Sequence, residues 1–111
     1  AFAGMDHKIF DAVFAARPDG LVIEAFGQGN LPEATVESLK TMIEHDIPIV
    51  LVSRCYQGNV QPTYAYEGGG RKLKELGLIF ANGLTGPKAR IKLLIALEKT
   101  KKLEALRKIF D

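Results

Sequence analysis

The chain contains 111 residues, of which 47% are hydrophobic and 25% are charged, and this composition is typical of a single globular domain. Its net charge of +2 comes from basic residues spread along the chain, and no apolar run approaches the roughly 18 residues of a membrane helix. We therefore expect neither nucleic acid nor a membrane as a partner. Cys55 is the only cysteine, which excludes an internal disulfide and favours a cytoplasmic protein.

The first half of the chain alternates helices with strands. Residues 6–17 carry apolar side chains at helical spacing, and Asp6 is placed to cap this helix. After a Pro-Asp-Gly break, residues 21–26 are rich in side chains that favour strands. Residues 31–46 again show a helical apolar stripe. Residues 47–53 are apolar almost throughout, which predicts a strand buried on both faces.

The second half begins with a long loop over residues 54–69. A short helix is predicted over residues 71–76, followed by a third strand over residues 78–81. Thr85 is placed to cap the next helix. Residues 102–110 form a last short helix.

The order of elements predicts the fold class. Strict alternation of helices with apolar strands indicates a parallel sheet with helices on both faces. We therefore expect residues 1–111 to form one small open α/β domain of the flavodoxin or Rossmann type. Only three strands are clear, and residues 1–3 could be the end of a fourth.

One predicted helix is unusually apolar. Within ARIKLLIALEK, one stripe is formed by Ile91, Leu94 and Ile95, and Leu93, Ala96 and Leu97 nearly complete the circle. A helix that is apolar most of the way round is buried on more than one side. We expect a partner subunit or a further domain to cover it, and the alternative is a wide stripe that faces the chain's own core.

Ligands of open α/β sheets bind at the carboxyl ends of the strands, so three loops are candidates. The first, GQGN, has two glycines that allow a tight turn, and Asn30 offers both a donor and an acceptor. A turn that caps the next helix explains this segment equally well. The second is the long loop over residues 54–69, whose length is usual for functional loops. The third, ANGLTG, is interpreted mainly as the start of the next helix.

The segment YAYEGGGRK combines an acidic residue with three glycines. Neither the phosphate-binding motif G-x-x-x-x-G-K-[ST] nor the dinucleotide motif G-x-G-x-x-G is present. Glu67 would repel a phosphate but attract an ammonium group. We expect Glu67 to contact a cationic group of a ligand, with glycines 68–70 giving backbone freedom and opening the helix. A solvated loop carboxylate is the alternative.

The remaining reactive side chains do not assemble into an active site. His7 and His45 are far apart in sequence and lack partners at metal-ligand spacing, so both are expected to be exposed on helices. Cys55 follows Arg54 at a strand end, but no histidine is near it in sequence, and a structural thiol explains it better. The sequence therefore predicts no catalytic residue, no metal and no cofactor.

Four segments together resemble a known family. The segments GNLP, IPIVLVSRCYQGNV, YAYEGGGRKLKELG and LTGPKARIKLLIAL are similar to the carboxyl-terminal domain of L-asparaginases, particularly of the archaeal, type I-like group. The resemblance extends from Gly4 to Phe110. SRCYQGNV with YAYEGGG is specific, whereas GPKAR is shared more widely. The resemblance implies a flavodoxin-like domain that works with an amino-terminal domain carrying the nucleophile-region threonines.

The resemblance also implies a function. The intact enzyme would convert L-asparagine and water to L-aspartate and ammonia through a threonine acyl-enzyme. This domain would form the dimer interface and complete the substrate site of a partner subunit. Asn30 matches the family's asparagine that supports the substrate and the catalytic lysine, and Glu67 lies near the acidic residue that meets the substrate's α-ammonium group. Without the amino-terminal domain the chain has no nucleophile, so we expect it to be inactive alone.

One residue departs from the family pattern, and there are three alternatives to an asparaginase domain. Glu24 stands where some bacterial members have an arginine in a regulatory asparagine site, so such a site is not expected here. The chain begins at Ala1 rather than methionine, and we expect a fragment or a processed product. The alternatives are a stand-alone module that self-associates and the related domain of a tRNA-dependent amidotransferase subunit. A receiver-type signalling domain is disfavoured because its acidic residues at the strand ends are absent.

Overall fold

The computed structural model describes residues 1–111 and contains a three-stranded sheet with five α-helices. The elements in chain order are α1 (Lys8–Ala15), β1 (Leu21–Ala25), α2 (Val36–Glu44), β2 (Ile49–Ser53), α3 (Gly70–Leu76), β3 (Ile79–Phe80), α4 (Gly86–Lys99) and α5 (Leu103–Phe110). A single 3-10 turn, Glu33–Thr35, precedes α2. The predicted order of helices and strands is therefore confirmed.

The sheet is parallel throughout, with the strand order β1-β2-β3. Leu21 to Ala25 pair with Ile49 to Ser53, and β3 pairs with the middle of β2. The central strand β2 is buried from Ile49 to Val52, as its continuous apolar sequence predicts. The third strand is shorter than predicted, because only Ile79 and Phe80 pair with β2 before the chain turns away.

Helices cover both faces of the sheet, which confirms the open α/β fold. Side chains alternate along each strand, so the sheet contributes to two separate cores. The first core contains Ile23, Ile49 and Leu51 with side chains of α1, α2 and α3. The second contains Val50 and Val52 with side chains of α4 and α5.

The ends of two helices differ in detail from the sequence prediction. Asp6 does accept a hydrogen bond from the backbone N–H of Lys8, at 3.0 Å, close to the start of α1. Thr85 occupies the cap position of α4, as predicted, but its side chain makes no capping hydrogen bond. Residues 1–3 form no strand. They nevertheless approach the outer edge of β1, because the amino group of Ala1 donates to the carbonyl of Glu24 at 2.6 Å.

Helix α4 is only partly covered by the chain itself. Ala89, Leu93 and Ala96 are buried against the sheet. Ile91, Leu94 and Ile95 remain between 54% and 56% exposed. The wide apolar stripe therefore does not face the core alone. No helix is both long enough and apolar enough to cross a membrane.

Candidate functional site

The carboxyl ends of the three parallel strands carry the loops that the sequence selects as candidates. We call this region the loop edge, and it consists of residues 26–31, 54–69 and 81–85. Two backbone hydrogen bonds join its first two loops: the N–H of Gln61 donates to the carbonyl of Gln28, and the N–H of Leu31 donates to the carbonyl of Gly68, both at 2.8 Å. Residues far apart in sequence therefore form one surface.

The GQGN segment forms a tight turn directly after β1. The backbones of Phe26 and Asn30 exchange hydrogen bonds of 2.9 and 3.0 Å. Gly29 has φ +101°, and a Cβ atom there would press on the side chains of Val60 and Leu51. A glycine is required here by both the backbone angle and the lack of space. The turn fixes the direction in which Asn30 leaves the sheet.

Asn30 is half-buried, and its side-chain carbonyl accepts a hydrogen bond from the backbone N–H of Gly70 at 3.2 Å. The side-chain oxygen of Asn30, which the sequence suggests as an acceptor for a ligand, is therefore already bound by the backbone of Gly70. The side-chain amide of Asn30 has no partner in the chain and is free to donate. Because Gly70 follows Glu67 by only three residues, this bond brings both predicted site residues to the loop edge.

Glu67 is exposed and makes neither a hydrogen bond nor an ion pair with another side chain. Other surface carboxylates such as Glu33 and Glu98 are also unpaired, so the position of Glu67 at the loop edge is what distinguishes it. Glu67 therefore presents to solvent a carboxylate without a basic partner, three residues before Gly70, which Asn30 binds. A carboxylate in this setting can accept hydrogen bonds from an ammonium group.

The three glycines after Glu67 have a packing role in addition to the predicted ones. Gly68, Gly69 and Gly70 are all buried. A Cβ atom on each would collide with a backbone carbonyl: that of Leu31 for Gly68, those of Tyr64 and Tyr66 for Gly69, and that of Gln61 for Gly70. The glycines allow close packing of three backbone segments. The prediction that they open α3 is confirmed, and Gly68 uses the predicted backbone freedom because its φ is +83°; the close packing at all three glycines was not predicted.

Two tyrosines next to Glu67 belong to the same surface and were missed by the sequence reasoning. Tyr64 and Tyr66 are 46% and 56% exposed, and their ring centroids lie 5.9 Å apart. The Tyr-Ala-Tyr spacing is the signal that could have identified them, because alternate residues of an extended segment point to the same side. They add apolar area beside the carboxylate.

A surface depression at the start of α4 is lined by Glu24, by residues 53–59 and by residues 83–86. The carboxylate of Glu24 packs directly over Gly86, where a Cβ atom would overlap it. A helix N-terminus favours a negative charge, so Glu24 supplies within the chain what an anionic ligand would supply. Arg54, which also lines this depression, lies over the ring of Phe26, 4.6 Å from its centroid. Cys55 is exposed, which is not the environment of a structural thiol.

The loop edge contains no histidine. His7, directly before α1, lies 2.7 Å from Asp11, and His45, directly after α2, lies 2.8 Å from the carbonyl of Thr41. Both are exposed, as predicted, but each flanks a helix and does not lie in it. No group of three or more histidine, cysteine or acidic side chains is arranged to hold a metal ion. The loop edge thus offers groups that can bind a polar ligand but no nucleophile paired with a base.

The fold and the loop edge together define a small open α/β domain that presents binding groups at the carboxyl ends of a parallel sheet. The comparison with known families agrees with this class. The Glutaminase/Asparaginase C-terminal domain family matches residues 1–110, and the chain belongs to this family.

Individual relatives show the same relationship. The chain is 44% identical over 94 residues to a probable L-asparaginase of Deinococcus radiodurans, covering 85% of this chain and 28% of that protein. It is 30% identical to a glutamyl-tRNA(Gln) amidotransferase subunit of Aeropyrum pernix, covering 99% of this chain and 25% of that protein. The structure of the thermostable L-asparaginase from Thermococcus kodakarensis superposes with a TM-score of 0.83 at 32% identity, covering 98% of this chain and 33% of that one. The chain thus spans about a quarter to a third of these relatives.

Proposed function

We propose that this chain is the carboxyl-terminal domain of an L-asparaginase and that it completes the substrate site for the hydrolysis of L-asparagine to L-aspartate and ammonia. Family membership supports the amidohydrolase setting. The observation that carries the substrate-binding role is the unpaired, exposed carboxylate of Glu67, held at the loop edge by the bond between Asn30 and Gly70.

The chemistry of the two residues fits an α-amino acid. Glu67 receives the positively charged α-ammonium group of asparagine through charge-assisted hydrogen bonds. The free side-chain amide of Asn30 donates to a carbonyl or carboxylate oxygen of the substrate or to a neighbouring catalytic group. Neither residue breaks the amide bond. The nucleophile and its base come from an amino-terminal asparaginase domain, so the isolated chain is inactive.

The same proposal assigns occupants to the uncovered apolar surface. A groove of about 560 Å³ follows the outer edge of β1, between α1 and α4, and Ile9, Val22 and Ile91 are among its lining residues. We assign this groove and the exposed face of α4 to contacts with the amino-terminal domain and a second subunit. A homo-oligomer in the cytoplasm is the corresponding state of the intact enzyme.

The experiment joins this chain to the amino-terminal domain of an L-asparaginase and measures ammonia release from asparagine. Replacing Glu67 with glutamine removes the charge but keeps the shape. A hydrogen bond to a charged group contributes roughly 1.5–3 kcal/mol, so KM should rise about 10-fold to 100-fold. Glu75→Gln is the matched control, because Glu75 is exposed on α3 and pairs only with Lys72 at 3.9 Å.

Three results would contradict the proposal. An unchanged KM for Glu67→Gln removes the role of Glu67. An equal rise in KM for Glu75→Gln attributes the effect to general charge. Rapid asparagine hydrolysis by the purified chain alone shows that the catalytic groups lie within it.

A tRNA-dependent amidotransferase is a second candidate, because relatives named as glutamyl-tRNA(Gln) amidotransferase subunits align over nearly all of this chain. The two candidates differ in what the complete protein needs. An amidotransferase acting on glutamyl-tRNA(Gln) requires the charged tRNA for productive turnover, whereas the asparaginase hydrolyses the free amino acid. Ammonia release from free asparagine without tRNA distinguishes them when the chain is joined to its own natural amino-terminal domain instead of that of a known asparaginase.

A stand-alone module that self-associates is a third candidate, favoured by the exposed side chains of Ile91, Leu94 and Ile95. Light scattering on the purified chain tests it. A strictly monomeric chain at high concentration excludes self-association as its function.

A further inference from the structure

Asn82, the second residue after β3, binds both backbone polar groups of a single residue in the long loop. Its side-chain oxygen accepts from the N–H of Val60 at 2.7 Å, and its side-chain amide donates to the carbonyl of Val60 at 3.1 Å. Asn82 itself is firmly anchored, because the N–H of the preceding Ala81 donates to the carbonyl of Leu51 at 3.0 Å. The two bonds tie the loop to the end of the sheet.

Val60 is the one buried residue of the loop between residues 54 and 67, with only 2% of its surface exposed. Its side chain packs beneath Gly29 of the GQGN turn. The next residue, Gln61, donates its backbone N–H to the carbonyl of Gln28 at 2.8 Å. The loop is therefore held at Val60 and Gln61 from two sides, and most of its other residues are exposed.

The part of the loop held at Val60 and Gln61 is in contact with the predicted substrate site. The carbonyl of Gln61 lies so close to Gly70 that a Cβ atom on Gly70 would collide with it. Gly70 is also the residue whose N–H is bound by Asn30. A displacement at Val60 would therefore move the carbonyl of Gln61 against Gly70, and Glu67 lies between Gln61 and Gly70 in the chain.

We propose that Asn82 is a positioning residue that sets the place of the Glu67 carboxylate relative to Asn30. This inference rests on the proposed function, because Glu67 must first be a substrate contact. Asn82 touches no substrate. It fixes the start of the segment of residues 61–67, while the bond between Asn30 and Gly70 fixes the end.

The test uses the chain joined to an asparaginase amino-terminal domain. In Asn82→Asp, one oxygen still accepts from Val60, but the other faces the carbonyl of Val60 and repels it. We expect KM for asparagine to rise by at least about fivefold with little change in kcat, since a misplaced binding group weakens substrate and transition state alike. Asn82→Ala, which removes both bonds without repulsion, should raise KM in the same direction. Asn59→Asp is the matched control, because Asn59 is exposed on the same loop and its side chain forms no hydrogen bond.

A double substitution separates positioning from a general loss of structure. If Asn82 acts through Glu67, then Asn82→Asp should add no further rise in KM when Glu67 is already glutamine. Hydrogen exchange of the Val60 and Gln61 amides should also be faster in Asn82→Asp and Asn82→Ala, with the strand amides unchanged.

Each outcome bears on a separate statement. If Glu67→Gln raises KM but both Asn82 variants leave it unchanged, the proposed function stands and the role of Asn82 is wrong. An additive effect in the double variant also overturns that role, because Asn82 then acts independently of Glu67. If one variant fails to fold, the other decides. If the unsubstituted joined protein releases no ammonia, the proposed function fails, and the role of Asn82 fails with it.

Discussion

Replacing Gly68 with alanine tests whether the glycines beside Glu67 are present for close packing. Gly68 has φ +83°, and a Cβ atom would collide with the carbonyl oxygen of Leu31. The backbone cannot simply move away, because the carbonyl of Gly68 accepts the N–H of the same Leu31 at 2.8 Å. The new methyl group therefore strains the turn and threatens the hydrogen bond that joins the two loops.

The loss of stability expected for Gly68→Ala is the sum of two separate costs. An alanine in the left-handed region costs roughly 1–2 kcal/mol. Forcing a methyl group into a fully packed position adds roughly 1–3 kcal/mol. Gly68→Ala should therefore lower the free energy of unfolding by about 2–5 kcal/mol. Gly83→Ala is the matched control, because Gly83 has φ +73° but no atom within 4 Å of its Cβ position, so only the first cost applies.

Urea-induced unfolding of the chain, followed by far-UV circular dichroism, measures both variants. The slope of the free energy with urea should be the same in the two variants, so that the midpoints report stability. Equal losses at Gly68 and Gly83 would refute the packing argument, because the collision with Leu31 would then cost nothing. A loss at Gly83 alone would contradict the assigned geometry of both turns.

Three further predictions concern the core, the pH dependence and a helix end. Leu39→Ala should lower the free energy of unfolding by roughly 2–5 kcal/mol, because Leu39 is fully buried, whereas Leu94→Ala should lower it by less than about 1 kcal/mol. Urea unfolding measures both variants, and equal losses would contradict the assigned burial. The hydroxyl of Ser38 donates to Asp11 and holds the pKa of that carboxyl below its ordinary value. The bond therefore stabilises the fold fully above the unfolded pKa of about 4, and this stabilisation is lost as the pH falls through the folded pKa. Ser38→Ala should therefore raise the pKa of Asp11 in an NMR titration and weaken the decline in stability at acid pH, and an unmoved pKa would refute the coupling. Gly77→Ala should cost about 1–2 kcal/mol, because Gly77 ends α3 at φ +118°, and an unchanged melting temperature would contradict this.

The helices and strands were predictable because their signals are local. The apolar run at residues 47–53 indicates a strand buried on both faces, and β2 is such a strand. Gly77 at the end of α3 follows from a backbone rule that involves only neighbouring residues. One detail differs at a single side chain: Thr85 has the right type and position for a cap, but its hydroxyl makes no such bond.

The candidate site was only partly predictable. The sequence selects Asn30 because of its turn and Glu67 because of its charge, and both lie at the loop edge. It does not reveal that the oxygen of Asn30 is already bound by Gly70, 40 residues later. It also gives no sign that Asn82 binds the backbone of Val60, 22 residues earlier. The roles of Asn30 and Glu67 as substrate contacts stay predictions.

The sequence by itself determined the class of fold, because periodic apolar side chains and breaker residues act within a few positions of one another. Only the tertiary structure decided how the loop edge is built. The loop of residues 54–69 has no periodic pattern, and its course depends on backbone contacts with segments distant in sequence. The collision of any side chain at Gly68 with the carbonyl of Leu31 is such a contact, and it arises only after the sheet has brought the two loops together.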